Sequence, residues 1–178
     1  MPQMTYDGAK TIAAAMRSVG IDATISPFSD DRTVELGAKY TSGDECYPEQ
    51  VTLGNLLKLT EDPDFDPSKV AFFMPSAGGP CRFGQYAGFA EKVMRDLGYE
   101  DILVLSPTST NSYDEVGANA GELMRTAWRA VVSADIMRKL LLKTRPYEIN
   151  EGDTEAEYEK GLDQVCAVLE KSGISDKE

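Results

Sequence analysis

Val70-Ala71-Phe72-Phe73-Met74-Pro75-Ser76-Ala77-Gly78-Gly79-Pro80-Cys81-Arg82-Phe83-Gly84-Gln85-Tyr86 is an apolar run that opens into a glycine-rich turn and then a helical pattern reaching Leu97. The run is short and apolar on both sides, as a buried strand is. Gly98 ends the helix, and Asp101-Ile102-Leu103-Val104-Leu105 reads as the next strand. Upstream, Ile21-Asp22-Ala23-Thr24-Ile25-Ser26 alternates polar and apolar residues and is closed by Pro27. Strands alternating with helices imply right-handed crossovers and a largely parallel sheet. The expected fold is therefore α/β: a three-layer, mainly parallel open sheet flanked by helices, Rossmann- or flavodoxin-like. Its core is expected at about residues 20–110, with residues 114–178 as a mostly helical extension of one domain spanning 1–178.

The helices around that core carry their own signals. Tyr6 to Val19 places Ile12, Ala13, Met16 and Val19 at helical spacing, and Gly20 suits the residue after a helix end. Ser29, Asp30 or Asp31 can cap a helix carrying Val34, Leu36 and Tyr40. From about Glu49 to Thr60, Val51, Leu53, Leu56 and Leu57 form an apolar face behind Pro48. Met124, Ala127, Trp128, Val131, Ala134, Met137 and Leu141 make a long stripe between Ala118 and Lys143, a pattern of core or interface. Arg145-Pro146-Tyr147-Glu148 breaks it, and Asp153 or Thr154 starts a last helix with Cys166 on its apolar side. The acidic stretch Glu61 to Pro67 fails as a calcium loop, because Pro67 stands where the loop needs glycine.

Composition excludes several chemistries. The 178 residues carry a formal net charge of −12, which argues against a nucleic-acid partner, since a phosphate backbone demands a basic face. The chain has no histidine, so neither a Ser-His-Asp triad nor a histidine zinc site is available. Three cysteines without a signal-peptide pattern point to a reducing, cytoplasmic setting. No apolar run approaches the roughly 20 residues that span a bilayer, so no membrane association is expected.

Cys46 and Cys81 share a setting. Each stands in a Gly- or Pro-bearing loop directly before a helix, where unpaired N–H groups favour negative charge and lower a thiol pKa. Convergent thiolates of this kind suit soft metals, and Arg82 beside Cys81 would balance the charge. Glu45 reads equally as a carboxylate of that loop or as a cap. The backbone from Ser76 to Gly79 suits an anion, and the hydroxyls of Ser106 to Ser112 lie at the carboxyl end of a strand, where ligands bind in open sheets. Three other readings of the chain stay open: tight turns with incidental cysteines, a non-catalytic domain that docks on a partner through its acidic surface and long helix, or a reversible Cys46–Cys81 dithiol.

Glu45-Cys46-Tyr47-Pro48, Gly79-Pro80-Cys81-Arg82-Phe83-Gly84-Gln85-Tyr86 and Arg145-Pro146-Tyr147-Glu148 with Gly152, in this order, resemble the activase-related proteins of the 2-hydroxyacyl-CoA dehydratase and benzoyl-CoA reductase group. The resemblance implies a 4Fe–4S or related cluster ligated by Cys46 and Cys81, with Gly79, Arg82 and Glu45 around it. It implies low-potential electron transfer to acyl-CoA chemistry, with an actin-like ATPase activase or further domains of a longer polypeptide as partners. The remaining ligands would come from such a partner or from a second copy in a homodimer. The chain has no phosphate loop, so by this resemblance it is not itself the ATPase.

Overall fold

The computed structural model describes residues 1–76, 78–108 and 114–171. The chain divides into two units: Met1–Gln3 with Ser26–Gly117, and Met4–Ile25 with the described part of Ala118–Glu178. Six α-helices are present among the described residues: α1 (Tyr6–Arg17), α2 (Asp31–Tyr40), α3 (Tyr47–Leu59), α4 (Tyr86–Asp96), α5 (Ala120–Thr144) and α6 (Asp153–Lys171). The strands are β1 (Ala71–Phe73) and β2 (Leu103–Leu105), paired parallel with Phe72 opposite Val104.

The first unit is built on α2, α3 and the β1–α4–β2 crossover. Asp30 caps α2, accepting the Thr33 N–H at 3.0 Å, while the Thr33 hydroxyl accepts the Asp30 N–H at 3.2 Å. This reciprocal pairing satisfies two of the orphan donors of the helix start. Helices α2 and α3 meet at two glycines. A Cβ on Gly54 would lie 1.9 Å from the Thr33 carbonyl oxygen, and one on Gly37 would lie 2.1 Å from that of Gln50. No side chain fits there, so the backbones touch. Behind them Leu53, Leu56, Phe72, Met74, Met94 and Val104 form the core. Full burial of each such side chain is worth roughly 1.5–3 kcal/mol.

The expected three-layer parallel sheet is not found. Among the described residues the sheet has two strands of three residues each, and the protein is mainly helical. The two strands flanking α4 fall where the sequence places them. Ile21–Ser26 does not join them. Its burial does not keep the alternation, since Ser26 is buried although it shares the side of the exposed Asp22 and Thr24, and the segment forms no strand. Two of its backbone groups are taken elsewhere: the Arg17 guanidinium donates to the Ala23 carbonyl at 2.6 Å, and the Ser26 N–H donates to the Met1 carbonyl at 2.9 Å. A segment whose backbone is paired this way has no ladder to offer a sheet.

The second unit is a helical bundle of α1, α5 and α6. Small residues let the helices approach: Ala9, Ala13 and Ala14 on α1, and Ala130 and Ala134 on α5, are buried. Leu141, Tyr158 and Leu162 pack together where α5 and α6 meet. Lys10 of α1 pairs with Glu159 at 3.2 Å and Asp163 at 2.7 Å of α6, and Arg17 pairs with Glu170 at 2.6 Å. Asp7, 2% exposed, is a charged side chain removed from water, and Arg138 of α5 grips it through two bonds of 2.8 and 2.9 Å. The guanidinium holds the Asp7 carboxyl below the usual carboxylate range. Burial, with the Asp7 charge nearby, pushes the Tyr158 phenol up to about 12.

Asp7→Asn should therefore cost the second unit about 2–3 kcal/mol, below the full buried-pair cost because Arg138 is half exposed. The folded pKa of Asp7 lies below its unfolded value of about 3.9, so its contribution is complete above that pH and is lost as pH falls through the folded pKa. Urea unfolding followed by helical circular dichroism is expected to show the Asp7→Asn penalty near neutral pH and its shrinkage in acid.

Candidate functional site

The two cysteine loops both belong to the first unit, but the expected pairing of their sulfurs is not found, and both cysteines are free. Cys46 is the residue before α3, and Cys81 precedes a 3-10 turn, Arg82–Gln85, that runs into α4. Tyr86, the first residue of α4, is buried, and its hydroxyl lies 2.9 Å from the Cys46 sulfur. Burial raises the Tyr86 pKa, reinforced by its bond to Cys46 and by the charges of Cys46, Glu49 and Cys81. The phenol thus stays protonated at neutral pH, and it shares a hydrogen bond with the sulfur in which either partner can donate. Three residues into α3, Glu49 is only 2% exposed, and the Gln85 side-chain amide donates to both of its oxygens at 3.1 and 3.0 Å. A carboxylate in the first turn is favoured by the helix dipole, and the amide satisfies what water would have supplied.

This geometry makes a clasp. Cys46 with Tyr86 and Glu49 with Gln85 tie the start of α3 to the start of α4 through four side chains that satisfy one another. Glu49, Gln85 and Tyr86 are the residues the sequence reading left without a role. The signal for Glu49 was available: it sits three residues after the residue preceding the helix, where a capping glutamate belongs.

The iron–sulfur expectation is overturned. Among the described residues no group of three or more Cys, His, Asp or Glu side chains is placed to hold a metal ion. Cys46 and Cys81 supply two sulfurs, and the nearby Glu49 is committed to Gln85. Glu45 is committed as well, because its carboxylate accepts the Ser42 N–H at 2.8 Å and the Gly43 N–H at 3.1 Å, closing a local turn. Backbone hydrogen bonds hold the Glu45 pKa below its ordinary value. The donor set does not fit a 4Fe–4S or related cluster, and the cluster-based electron-transfer function falls with it. The dithiol alternative falls too: the three cysteines are scattered, one half-buried, one exposed and one buried, and no two of them form a dithiol pair.

Gly79 and Arg82 are exposed, Gly79 with a φ of 133° that favours glycine. The proposed anion cradle at Ser76–Gly79 includes residue 77, and the hydroxyl loop Ser106–Ser112 includes 109–112, which lie outside the described residues. The third motif is a helix connection: the Glu148 carboxylate accepts the N–H groups of Gly152 and Thr154, each at 3.1 Å, and Arg145 pairs with Glu155 at 3.4 Å.

A different feature stands out in the second unit. Met124, Trp128, Val132, Ile136 and Leu140 recur every four residues along α5, and all are exposed, Trp128 to 71%. Val131 lies beside them, also exposed. The buried residues of α5 (Leu123, Thr126, Ala130, Ala134 and Leu141) occupy its opposite face. At the carboxyl end of this ridge, Leu140, Leu141, Tyr147, Ile149 and Tyr158 line an open groove of about 530 Å³, with Glu148 and Glu157 beside them. No described helix is long and apolar enough to cross a membrane.

Comparison with protein-family models, with curated proteins and with solved structures finds no match to this chain.

The clasp predicts an order of thiol reactivity. Cys81 is exposed, Cys46 half-buried, and Cys166 buried in mid-helix with its pKa raised by burial. Titration with a chromogenic disulfide should show one fast thiol, one slower thiol that Tyr86→Phe accelerates, and one that reacts only on unfolding. Iron and sulfide offered anaerobically should not be retained in stoichiometric amount. A Cys46–Cys81 disulfide in non-reduced protein would contradict this account.

Proposed function

We propose that the protein works as a docking module, and that α5 is the surface it presents to a protein partner. The observation that carries this reading is the exposed ridge Met124–Trp128–Val132–Ile136–Leu140. With Val131 it exposes on the order of 600 Å² of mostly apolar side chain, at the top of the roughly 300–600 Å² expected for the largest patch of an ordinary monomer. Trp and Arg are the residues that most often carry binding energy, and here Arg125 and Arg129 flank Trp128 on the same helix. An apolar centre bordered by Arg125, Arg129, Asp135 and Lys139 has the arrangement of a specific interface, with water-excluding contacts inside and charges at the rim. Kinship with the activase-related group stands beside this as a second proposal. It rests on the ordered motifs around Cys46, Cys81 and Arg145, and it lends the docking reading no cluster.

The experiment is a ridge replacement. In the chain carrying Trp128→Gln, Val132→Gln and Ile136→Gln, helical content and unfolding free energy should match the parent within about 1 kcal/mol, because exposed side chains contribute little to their own fold. Loss of folding would show that the ridge holds the chain's own structure together and would overturn the docking reading.

A further inference from the structure

We propose that the groove between the carboxyl end of α5 and the start of α6 binds a small organic ammonium ion that carries an apolar group. The site goes beyond the docking reading and does not rest on it. The groove holds about 530 Å³, within the roughly 300–1,000 Å³ of small-molecule sites. It lies wholly within the hairpin formed by α5, the Arg145–Tyr147 turn and α6. Leu141 and Tyr158 line it from the buried side, where they pack with Leu162 to join the two helices. Leu140, Tyr147 and Ile149 line it from the open side, and Ile149 is 97% exposed. Three apolar side chains left in water around one concavity gain from a guest that displaces that water.

Charge selects the guest. The charged side chains on the groove are Glu148, Asp153 and Glu157, and no described Lys or Arg lines it. Residues 145–160 set six carboxylates against Arg145 and Lys160. Each of these two cations has a carboxylate of its own, Arg145 with Glu155 at 3.4 Å and Lys160 with Glu157 at 2.5 Å. Glu148 accepts backbone N–H groups from Gly152 and Thr154, and Asp153 accepts the Asn150 side-chain amide at 2.8 Å. Neutral donors orient these carboxylates without cancelling their charge, and the backbone bonds hold the Glu148 carboxyl below its ordinary range, so it is ionised at neutral pH. An anion is therefore repelled, and a neutral guest gains nothing from the carboxylates. A metal ion does not fit, since no group of three or more metal-binding side chains is placed to hold one among the described residues. An alkylated ammonium fits both features: its apolar part fills the groove, and its charge needs no free carboxylate lone pair. Tyr147 and Tyr158 add aromatic rings, whose faces attract such cations.

Titration of the isotope-labelled full chain with benzyltrimethylammonium, followed by amide NMR, tests this. The expected result is saturable shifts centred on the groove between Met137 and Tyr158, with a dissociation constant of about 1 mM, ordinary for a fragment of that size. Benzenesulfonate and benzyl alcohol, its anionic and neutral counterparts, should bind more weakly. Tyr147→Ala should weaken the cation roughly threefold. Asp153→Asn combined with Glu157→Gln should weaken it by roughly as much. All three positions are exposed, so helical content should hold, and if one variant fails to fold the other still decides. The ridge replacement at Trp128, Val132 and Ile136 should leave binding unaltered, so the two readings fail separately. A folded parent chain that shows no saturation by about 20 mM would overturn the proposal. Equal binding of benzenesulfonate would overturn the ligand class. Binding that neither groove variant weakens would place the cation elsewhere and overturn the proposal as well.

Discussion

The second unit depends on how α5 is held, which is by one face only. Ala130 and Ala134 let α1 and α6 close on that face, and the Asp7–Arg138 pair fixes α1 against it. An unpaired Asp7 carboxylate, buried as this one is, would be costly, so the guanidinium is what makes the buried position tolerable. With that face committed, a helix of 25 residues, about 37 Å long, turns its other face outward. That outward face is apolar at every fourth position. Stability explains the inner face; it gives no reason for the outer one, and association with another surface does.

Both faces of α5 were present in the sequence as one stripe. Met124, Ala127, Trp128, Val131, Ala134, Met137 and Leu141 read together as core or interface, and the structure divides them. Ala134 and Leu141 are buried, while Met124, Trp128 and Val131 are exposed. The division was not legible because an apolar residue carries no mark of which neighbour it meets. Small size was the available clue, since alanines mark the side where helices close.

The helices were legible because their ends are local chemistry. Asp30 with Thr33, Gly20 and Gly98, with φ values of 86° and 83°, act within one turn of chain. The sheet was not, because strand pairing is a non-local fact. Ile21–Ser26 has the alternation of a strand in its sequence, yet Ser26 is buried out of step with it, and the segment pairs with no strand. The cysteine loops show the same limit. Their position before α3 and α4 was readable, but the expected meeting of their sulfurs was not found. What they do there depended on Glu49, Gln85 and Tyr86, which turn two apparent ligand loops into a clasp between helix starts. Metal ligation needs a count of donors in space, and spacing in sequence does not supply it.

Trp128 is the only tryptophan in the chain and stands at 71% exposure on the ridge, so it reports directly on whether the outer face of α5 is covered. The most direct measurement is its fluorescence and its quenching by acrylamide in the dilute chain. Emission and quenching close to those of a solvated indole are the predicted result, since Trp128 stands open on the ridge. A blue-shifted emission protected from quencher would show that the chain's own fold covers the outer face of α5 and would contradict the account.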